Sequence, residues 1–323
     1  MRVKQCESRA EWDKAVLASA GHPLQLWGWG EVKASGNWRV ERVFVCEDDE
    51  TIGMAQLLLR PLPGPFKSLA YVPRGPVAST DKREVVLREL ATYVKSRHGS
   101  VSLLVEPDWE EMPVIKGWHN APNPILMART LILDLAKPED ELLAAMSKKT
   151  RQYIRKSAGG GVEVRMATAV EDVAACLAIY KQTAARAGFA LHDDHYYEDI
   201  FHQLGDHCQI FMATYEGRVV AFVWLAVSEE VAFELYGGMN DEGQRLRANY
   251  TLKWEAIRRT KEWGVRRYDM NGLLNDGVST FKQGFASHED ILAGSYEVPL
   301  SPLYTVWARG LPAVKKLVRF VKK

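Results

Sequence analysis

The amino-acid sequence predicts an α/β (α+β) protein that contains two similar domains with mixed sheets. Three observations support this prediction: the length of 323 residues, a repeated order of strands and helices, and turns that imply antiparallel strand pairs. A chain of this length is too long for one ordinary core and suits two domains of common size. Its hydrophobic content of 47% and charged content of 26% are typical of a globular protein in water.

The first half of the chain predicts a hairpin, a strand, a helix and a further strand. Two apolar segments flank the acidic turn 47–50, which is typical of a hairpin. Leu87, Leu90 and Val94 recur at helical spacing further along the chain. The predicted elements are helices 8–19 and 26–34, strands 38–46, 51–60 and 68–72, helix 81–97 and strand 101–105.

The second half repeats this order at an offset of about 165 residues. Its predicted elements are helices 170–187 and 194–204, strands 209–215, 219–227 and 231–239, helix 247–263 and strand 265–270. Because hairpins require antiparallel pairs, two mixed sheets fit this order better than one doubly wound sheet. The order is that of the GNAT (acyl-CoA N-acyltransferase) fold, seen twice. We therefore predict a first domain over 1–144, a second over 145–301, and a C-terminal segment 302–323 that returns to the first.

The net charge of +1 includes two basic segments that contain no acid. The first, called here the basic helix, contains Lys148, Lys149, Arg151, Arg155 and Lys156. Its predicted polar face carries Lys148, Arg151 and Arg155, and its opposite face carries Leu142, Met146 and Tyr153. Cations without an intervening acid favour contact with phosphate groups, and a solvated helix face is the alternative.

The second basic segment lies at the C-terminus and contains Lys315, Lys316, Arg319, Lys322 and Lys323. The apolar residues fall on one side of this predicted helix, and they are Val314, Leu317, Val318 and Val321. We predict that the helix contacts an anionic membrane surface.

Cysteine and histidine, the residue types that can form disulfides or bind metals, are scattered along the sequence. The four cysteines have no paired spacing, and the eight histidines form no HExxH motif. We therefore expect reduced thiols and no metal site. No apolar segment is long enough for a signal peptide or a membrane span, so we expect a cytoplasmic protein that can reach the inner face of the cell membrane.

The segment Thr280–Phe285 places one cation, Lys282, between the aromatic residues Phe281 and Phe285. Lysine is rarely buried without a partner, so this pattern predicts an ammonium group held in a partly dry pocket. Such a cation can stabilise a phosphate or a developing oxyanion, which makes Lys282 the candidate catalytic residue. The alternative is a lysine at a helix end whose stem covers apolar surface while its charge reaches water.

A second unusual segment, Tyr71–Pro76, contains two prolines and a glycine, which favour a rigid turn at the end of a strand. Tyr71 and Arg74 would then be presented on a stiff loop as candidate substrate-binding residues. A structural arginine that packs across the turn is the alternative.

Six segments of distinctive sequence follow one another over nearly the entire chain. They are 25–33, 71–77, 148–162, 236–238, 248–272 and 281–285, the last being Phe-Lys-Gln-Gly-Phe. Together they resemble the FemABX family of peptidoglycan interpeptide-bridge aminoacyltransferases, whose fold is a tandem pair of GNAT-like domains. Some members carry a long helical hairpin in the second domain, for which 158–194 leaves no room, so the chain resembles the shorter FemX-like members.

This resemblance implies transfer of glycine, alanine or serine from aminoacyl-tRNA to the side-chain amine of a peptidoglycan stem peptide. The acceptor would be a UDP-linked or lipid-linked muropeptide, and aminoacyl-tRNA would be the donor without any cofactor. Lys282 matches the lysine of the family's FKxGF motif, in which it follows Phe281. The residues that match the groove for the muropeptide and its diphosphate are Lys33, Tyr71, Tyr196 and Tyr236. His192 stands where members often carry an arginine that clasps phosphate.

The transfer needs little activation from the protein, because an aminoacyl ester is already reactive and proximity supplies much of the acceleration. The acceptor amine must lose a proton, and Asp108, Asp269 or the ribose hydroxyl of the tRNA could take it. A CoA-dependent N-acyltransferase is the nearest alternative, but segment 244–250, where such enzymes bind pyrophosphate, contains no glycine. A non-catalytic RNA or membrane-surface adaptor would use the basic segments and leave the Lys282 motif without a role.

Overall fold

A computed structural model describes residues 1–274, 276–308 and 310. These residues form two compact units, each with its own hydrophobic core. The first unit contains residues 1–19, 33–126 and the described residues from 292 onward, and the second contains 20–32 and the described residues of 127–291. Within the described ranges, no helix is both long enough and apolar enough to cross a membrane.

Helices and strands follow one another along both units. The α-helices are α1 (Arg9–Ala18), α2 (Trp27–Ala34), α3 (Arg83–His98), α4 (Glu139–Ala145), α5 (Lys148–Ala158), α6 (Val170–Ala187), α7 (Asp194–Leu204), α8 (Asp241–Leu246), α9 (Ala248–Glu262) and α10 (Gly277–Gln283). The strands are β1 (Arg2–Gln5), β2 (Arg39–Glu47), β3 (Glu50–Pro61), β4 (Ser68–Pro73), β5 (Val77–Ala78), β6 (Ser102–Glu106), β7 (His119–Asn120), β8 (Arg129–Thr130), β9 (Ile132–Asp134), β10 (Glu163–Met166), β11 (Cys208–Tyr215), β12 (Arg218–Val227), β13 (Val231–Met239), β14 (Arg267–Asp269), β15 (Asp290–Ile291) and β16 (Tyr296–Pro299).

The first unit is built on a mixed sheet with the strand order β1-β2-β3-β4-β6-β16-β7, and β5 pairs with β3. Strands β4 and β6 are parallel, and the other neighbours are antiparallel. Val43 and Leu57 from the β2–β3 hairpin form one buried cluster with Leu90 and Val94 of α3. Helix α3 ends at Gly99, whose left-handed conformation (φ 57°) suits glycine because it has no Cβ.

The second unit is built on a mixed sheet with the strand order β10-β11-β12-β13-β14-β9. Its one parallel pair among the described strands of this sheet, β13 with β14, spans only Val231–Phe233 and Arg267–Asp269. Strand β13 continues to Met239, so Glu234 is its first residue beyond the part that pairs with β14. Helix α9 packs against the sheet through buried apolar residues at helical spacing, which include Leu252 and Ala256.

The predicted α/β class, the mixed sheets and the repeated order of elements are confirmed. Helices α6 and α7 have the predicted bounds, 170–187 and 194–204. Strand β13 also has its predicted bounds, 231–239. The sequence analysis did not identify the edge strands β1 and β10, which are only four residues long.

Each sheet contains a strand that comes from outside its own half of the repeat. Strand β9 precedes the second half and pairs with β14, whereas β16 follows it and pairs with β6 of the first sheet. The two units therefore differ from the predicted domains 1–144 and 145–301: residues 20–32 and 127–144 belong to the second unit, and 292–301 belong to the first. Pairing between strands far apart in sequence leaves no local periodicity, so the sequence pattern did not reveal it.

The described part of the predicted returning segment, 302–308 and 310, belongs to the first unit. Within that unit, the Trp307 ring packs against Phe66 with centroids 5.5 Å apart. The Tyr304 hydroxyl donates a hydrogen bond of 2.5 Å to the carboxylate of Glu297. The predicted membrane-binding helix with its basic residues 315–323 lies outside the described residues.

Candidate active site

Lys282 lies in the last turn of α10, a short helix whose N-cap is Asp276. The Asp276 carboxylate accepts hydrogen bonds of 2.8 Å from both the main-chain N–H and the hydroxyl of Ser279, which fixes the first turn. Lys282 Nζ donates to the main-chain oxygens of Asn271 at 3.2 Å and Gly272 at 3.1 Å. Burial lowers the pKa of Lys282, and the nearby carboxylates, led by Glu234, oppose that shift. The prediction of a cation in a partly dry pocket agrees with this arrangement.

The loop that holds Lys282 is itself fixed by buried polar groups. Asn271 has a left-handed backbone (φ 59°), and its main-chain N–H donates to Asp269 Oδ1 at 2.7 Å. The same carboxylate oxygen accepts a hydrogen bond of 2.5 Å from the Thr130 hydroxyl. Asp269 is 0% exposed, and its carboxylate shapes the loop. The role of Asp269 as a candidate proton acceptor stays a prediction.

A buried ion pair lies behind this loop. The Lys253 ammonium on α9 donates to the Glu234 carboxylate on β13, and these residues are 5% and 7% exposed. Burial and the neighbouring Glu234 raise the pKa of the Tyr268 hydroxyl well above its usual value. The sequence analysis missed this pair, although its signals were present: Glu234 interrupts an apolar strand, and Lys253 lies on the buried side of α9.

Aromatic rings surround the Lys282 segment. Phe281 contacts Phe285 with centroids 5.2 Å apart, and Tyr250 contacts Phe281 at 5.0 Å. Phe285 is fully buried in the core of the second unit, whereas Phe281 is partly exposed. The predicted setting of Lys282 between two aromatic residues is therefore asymmetric, with one ring in the core and one at the surface.

A close contact with α5 explains why the Phe-Lys-Gln-Gly-Phe motif contains a glycine, Gly284. A Cβ at this position would lie 2.4 Å from Thr150 Oγ1, so the motif approaches the first turn of α5 too closely for a side chain. The main-chain oxygen of Gly284 also accepts a hydrogen bond of 2.9 Å from the N–H of Ser147, the N-cap of α5. The basic helix and the Lys282 segment are therefore in direct contact.

The basic helix differs from its predicted faces. Ser147 begins a new helix, so Leu142 on α4 and Met146 at its C-cap do not share a face with α5. The buried side of α5 consists instead of Thr150, Ile154 and Ser157. The prediction extended one helical register across this N-cap, which interrupts it.

The five cations of the basic helix fall into two groups. Lys148, Lys149, Arg155 and Lys156 are exposed. Arg151 is partly buried, and its Nη1 donates to three main-chain oxygens near the end of α4, those of Leu143 (3.2 Å), Ala144 (3.2 Å) and Met146 (2.5 Å). Arg151 therefore satisfies the open carbonyls of the preceding helix. Nearby, the Arg247 guanidinium carbon lies 3.7 Å from the centroid of the Tyr153 ring.

Three predicted substrate-binding residues of the second unit lie in one aromatic cluster. The His192 ring stacks on Tyr196 with centroids 4.0 Å apart. Tyr197 connects this stack to Tyr236, because its ring lies 5.5 Å from Tyr196 and 5.2 Å from Tyr236. Burial, followed by the neighbouring Tyr196, raises the pKa of the Tyr236 hydroxyl well above its usual value. Tyr197 was not predicted, and its hydroxyl accepts a hydrogen bond of 3.2 Å from the His192 N–H.

The predicted residues of the first unit are less accessible than expected. Tyr71 lies within β4 and not on a loop, is 4% exposed, and its hydroxyl donates a 2.5 Å hydrogen bond to Glu106. Arg74 follows β4 with a left-handed backbone (φ 48°) and is 2% exposed. The expected presentation on a stiff loop is therefore wrong for Tyr71, because strand pairing extends through Pro73. Arg74 does lie on the turn after this strand, but its side chain is buried. Lys33, near the end of α2, is partly exposed.

Comparisons with known proteins connect these features to a family. Residues 8–117 match the FemAB family, and residues 144–283 match the acetyltransferase (GNAT) domain family. The lipid II:glycine glycyltransferase of Staphylococcus epidermidis is 27% identical over 387 aligned positions, which cover 92% of this chain and 92% of the relative. The crystal structure of FemX superposes with a TM-score of 0.84 at 20% identity, over 95% of this chain and 100% of that chain. The resemblance to the FemABX family is therefore confirmed.

Other similar proteins agree with this resemblance. The Staphylococcus aureus lipid II:glycine glycyltransferase is 26% identical to this chain, over 86% of this chain and 66% of the relative. A tandem GNAT protein from the clavulanic acid biosynthesis pathway has a TM-score of 0.54 at 13% identity, over 93% of this chain and 99% of that chain. The prediction of two GNAT-like units with mixed sheets is therefore confirmed.

Proposed function

We propose that this FemABX protein is a non-ribosomal aminoacyltransferase that builds the interpeptide bridge of peptidoglycan. It moves glycine, alanine or serine from aminoacyl-tRNA to the side-chain amine of a precursor stem peptide. The similarity to two lipid II:glycine glycyltransferases supports the acyl transfer and favours a lipid-linked acceptor over a UDP-linked one. The donor is the charged tRNA, and the reaction uses no further cofactor.

The position of Lys282 is the observation that carries this proposal. Its ammonium is held by two carbonyl oxygens next to the partly exposed Phe281 ring. When the acceptor amine attacks the ester carbonyl, negative charge develops on the oxygen and then on the leaving ribose oxygen. A cation fixed in a partly dry pocket stabilises that charge more than it stabilises the neutral ester, and this difference is what accelerates the reaction.

The basic helix supplies a surface for the donor. Four exposed cations on α5, Lys148, Lys149, Arg155 and Lys156, can contact the tRNA backbone. The hydrogen bond between Ser147 and Gly284 joins this helix to the segment that carries Lys282. A tRNA bound along α5 would therefore lie beside the segment that carries Lys282. Arg151 supports this surface by holding the end of α4.

The acceptor is assigned to the aromatic cluster of His192, Tyr196 and Tyr236. Tyrosine and histidine rings offer apolar faces for sugars together with polar groups for the diphosphate. The substrate-binding roles of Lys33, Tyr71 and Arg74 that the sequence resemblance and the Tyr71–Pro76 segment suggested stay predictions. A lipid-linked acceptor would bring the protein to the cytoplasmic face of the membrane, where the basic C-terminal residues 315–323 would meet anionic lipid.

A matrix of donors and acceptors tests this function. Radiolabelled glycyl-, alanyl- and seryl-tRNA are each incubated with lipid II or with UDP-linked muropeptide, and labelled acetyl-CoA serves as the competing donor. We expect transfer from one charged tRNA and none from acetyl-CoA. Transfer from acetyl-CoA alone would identify a CoA-dependent N-acyltransferase. Binding of RNA without transfer in any combination would instead favour the adaptor.

A further inference from the structure

Two sets of contacts connect Lys282 to the buried pair of Glu234 and Lys253. The main-chain oxygen of Asn271 accepts a hydrogen bond from Lys282 Nζ. The side-chain Nδ2 of the same Asn271 donates a hydrogen bond of 3.0 Å to the main-chain oxygen of Glu234. On the other side, the Lys253 ammonium lies 5.7 Å from the centroid of Phe281, the residue before Lys282. The Lys253 ammonium of the pair therefore lies beside the residue before Lys282, and the main chain of Glu234 contacts the loop that accepts the hydrogen bonds of Lys282.

Stability alone gives no reason for an ion pair at this place. Both side chains lose nearly all their hydration, and replacing a buried pair by apolar residues of similar volume is often neutral or stabilising. The surrounding core of the second unit is rich in apolar side chains, so packing could have filled the same space. A charged pair in this position is better explained by what it does to the neighbouring lysine.

We propose that Glu234 and Lys253 together position Lys282: the Glu234 main chain anchors the loop whose carbonyl oxygens hold the ammonium, and the ion pair places the Lys253 ammonium beside the Phe281 ring. Neither residue touches the reacting atoms, and each acts through Lys282. The proposal rests on the catalytic role proposed above for Lys282. It adds two residues that the sequence pattern of the family motif did not identify.

The charges around Lys282 agree with this role. Four charged groups face it from the elements packed around it: Glu234 on β13, Lys253 on α9, Asp269 at the end of β14 and Asp276 at the N-cap of α10. Burial lowers the pKa of Lys282 most, Glu234 raises it, and Lys253 lowers it by less than Glu234 raises it. The pair as a whole therefore favours the protonated ammonium that the proposed mechanism requires.

A charge-neutral double variant, Glu234→Gln with Lys253→Met, removes the pair without leaving one buried charge unpaired. The rate at which an amine-reactive reagent labels Lys282 is measured by mass spectrometry at a series of pH values. The rate reports the protonation of Lys282, because only the unprotonated amine reacts. We expect the labelling profile of Lys282 to move to lower pH. We also expect kcat for aminoacyl transfer to fall roughly 10- to 100-fold from lost alignment, with KM within about twofold of wild type.

The control is Glu139→Gln with Arg258→Met, which removes the ion pair between Arg258 Nε and Glu139 Oε2 (3.2 Å) together with the pairs that Arg258 makes with Glu255 and Glu262 on α9. Its labelling profile should equal that of the wild type. Labelling needs no substrate, so it tests the positioning even if the protein proves not to transfer amino acids. An unchanged Lys282 profile in the folded double variant would overturn the proposal.

A second variant decides the matter if the double variant does not fold. Asn271→Gly suits the left-handed backbone and keeps the ion pair, but it removes the side-chain hydrogen bond to Glu234. We expect Lys282 to be labelled faster and kcat to fall, with circular dichroism unchanged. Wild-type labelling and wild-type kcat in Asn271→Gly would show that the contact between Asn271 and the Glu234 main chain does not hold Lys282 in place, which would overturn that part of the proposal.

Discussion

The main-chain oxygen of Gly284 accepts a hydrogen bond of 2.9 Å from the main-chain N–H of Ser147. Ser147 is the N-cap of the basic helix, and Gly284 follows the candidate catalytic lysine by two residues. The Ser147 hydroxyl also accepts from the Thr150 N–H at 3.1 Å, which fixes the first turn of the helix. The proposed donor surface and the proposed catalytic group are therefore parts of one local structure, and a change at the contact should disturb both.

Gly284→Ala should destabilise the second unit and lower activity. The added Cβ would lie 2.4 Å from Thr150 Oγ1 and 3.1 Å from the main-chain oxygen of Phe281, and Thr150 is buried. We expect a loss of about 1–3 kcal/mol in the free energy of unfolding, as for other overpacked sites. The control is Gly277→Ala on the same helix, where an added Cβ meets no heavy atom within 4 Å. Equal melting temperatures for the two variants would show that the close approach is not tight.

Lys282→Met should remove transition-state stabilisation while the fold persists. Methionine keeps much of the volume of the stem and removes the charge, so we expect kcat to fall roughly 100-fold or more, by analogy with the loss of one oxyanion donor. KM and the melting temperature should stay near those of the wild type, as they should in the exposed control Lys116→Met. Normal turnover, or a loss that accompanies unfolding, would mean that the lysine has a structural role only.

The same lysine should set the alkaline limit of activity. Its ammonium is present below its folded-state pKa and is lost as the pH rises through that value. Burial lowers the pKa of Lys282 below the ordinary lysine value. We therefore expect kcat to decline at a lower pH than the pH at which an ordinary lysine loses its proton. Lys282→Arg stays charged throughout, so any residual activity of that variant should lack the alkaline decline. A wild-type kcat that stays constant up to the pH at which an ordinary lysine loses its proton would contradict the catalytic role of Lys282.

Charge reversal on the basic helix should weaken binding of tRNA in a salt-dependent way. The structure directs this test to Lys149→Glu and Arg155→Glu, because both side chains are exposed. Each lost phosphate contact should lower the slope of log K against log salt by about one, and binding of the muropeptide should stay unchanged. Arg218→Glu, an exposed cation on β12, serves as the control.

Arg151→Ala should behave differently from the exposed cations. Its guanidinium satisfies carbonyl oxygens at the end of α4, so we expect mainly a lower melting temperature. A salt slope that changes as much for Arg151→Ala as for Arg155→Glu would place Arg151 on the RNA surface after all. If muropeptide affinity falls while tRNA affinity holds, the whole patch serves the other substrate.

Local sequence patterns predicted most of the fold. Helices α6 and α7 were found with their bounds because caps and apolar spacing lie within the segments themselves. The short strands β9 and β16 were missed because their pairing partners are more than 130 residues away for β9 and more than 170 for β16. Strands of three and four residues carry too little alternation to be recognised alone.

The candidate site was predicted only where a residue type is unusual in its sequence context. Lys282 stood out between two phenylalanines, and the structure does hold its ammonium in a partly buried place. The burial of Tyr71 depends on Glu106, whose carboxylate also accepts hydrogen bonds from Ile125 and Leu126, and no local pattern encodes those contacts. Partners that only tertiary structure supplies decide whether a polar side chain is exposed.

Strands β9 and β16, which come from outside their own sheet's half of the repeat, also affect the order in which the two sheets can form during synthesis on the ribosome. Everything that the second sheet requires, from β9 to β14, has been synthesised by residue 269. The first sheet begins at residue 2 but still lacks β16, which ends at residue 299. Synthesis proceeds from the N-terminus and a sheet cannot pair with a strand that does not yet exist. The unit that starts first is therefore the one completed last, and until then its strand β6 has an open edge that invites pairing with other chains.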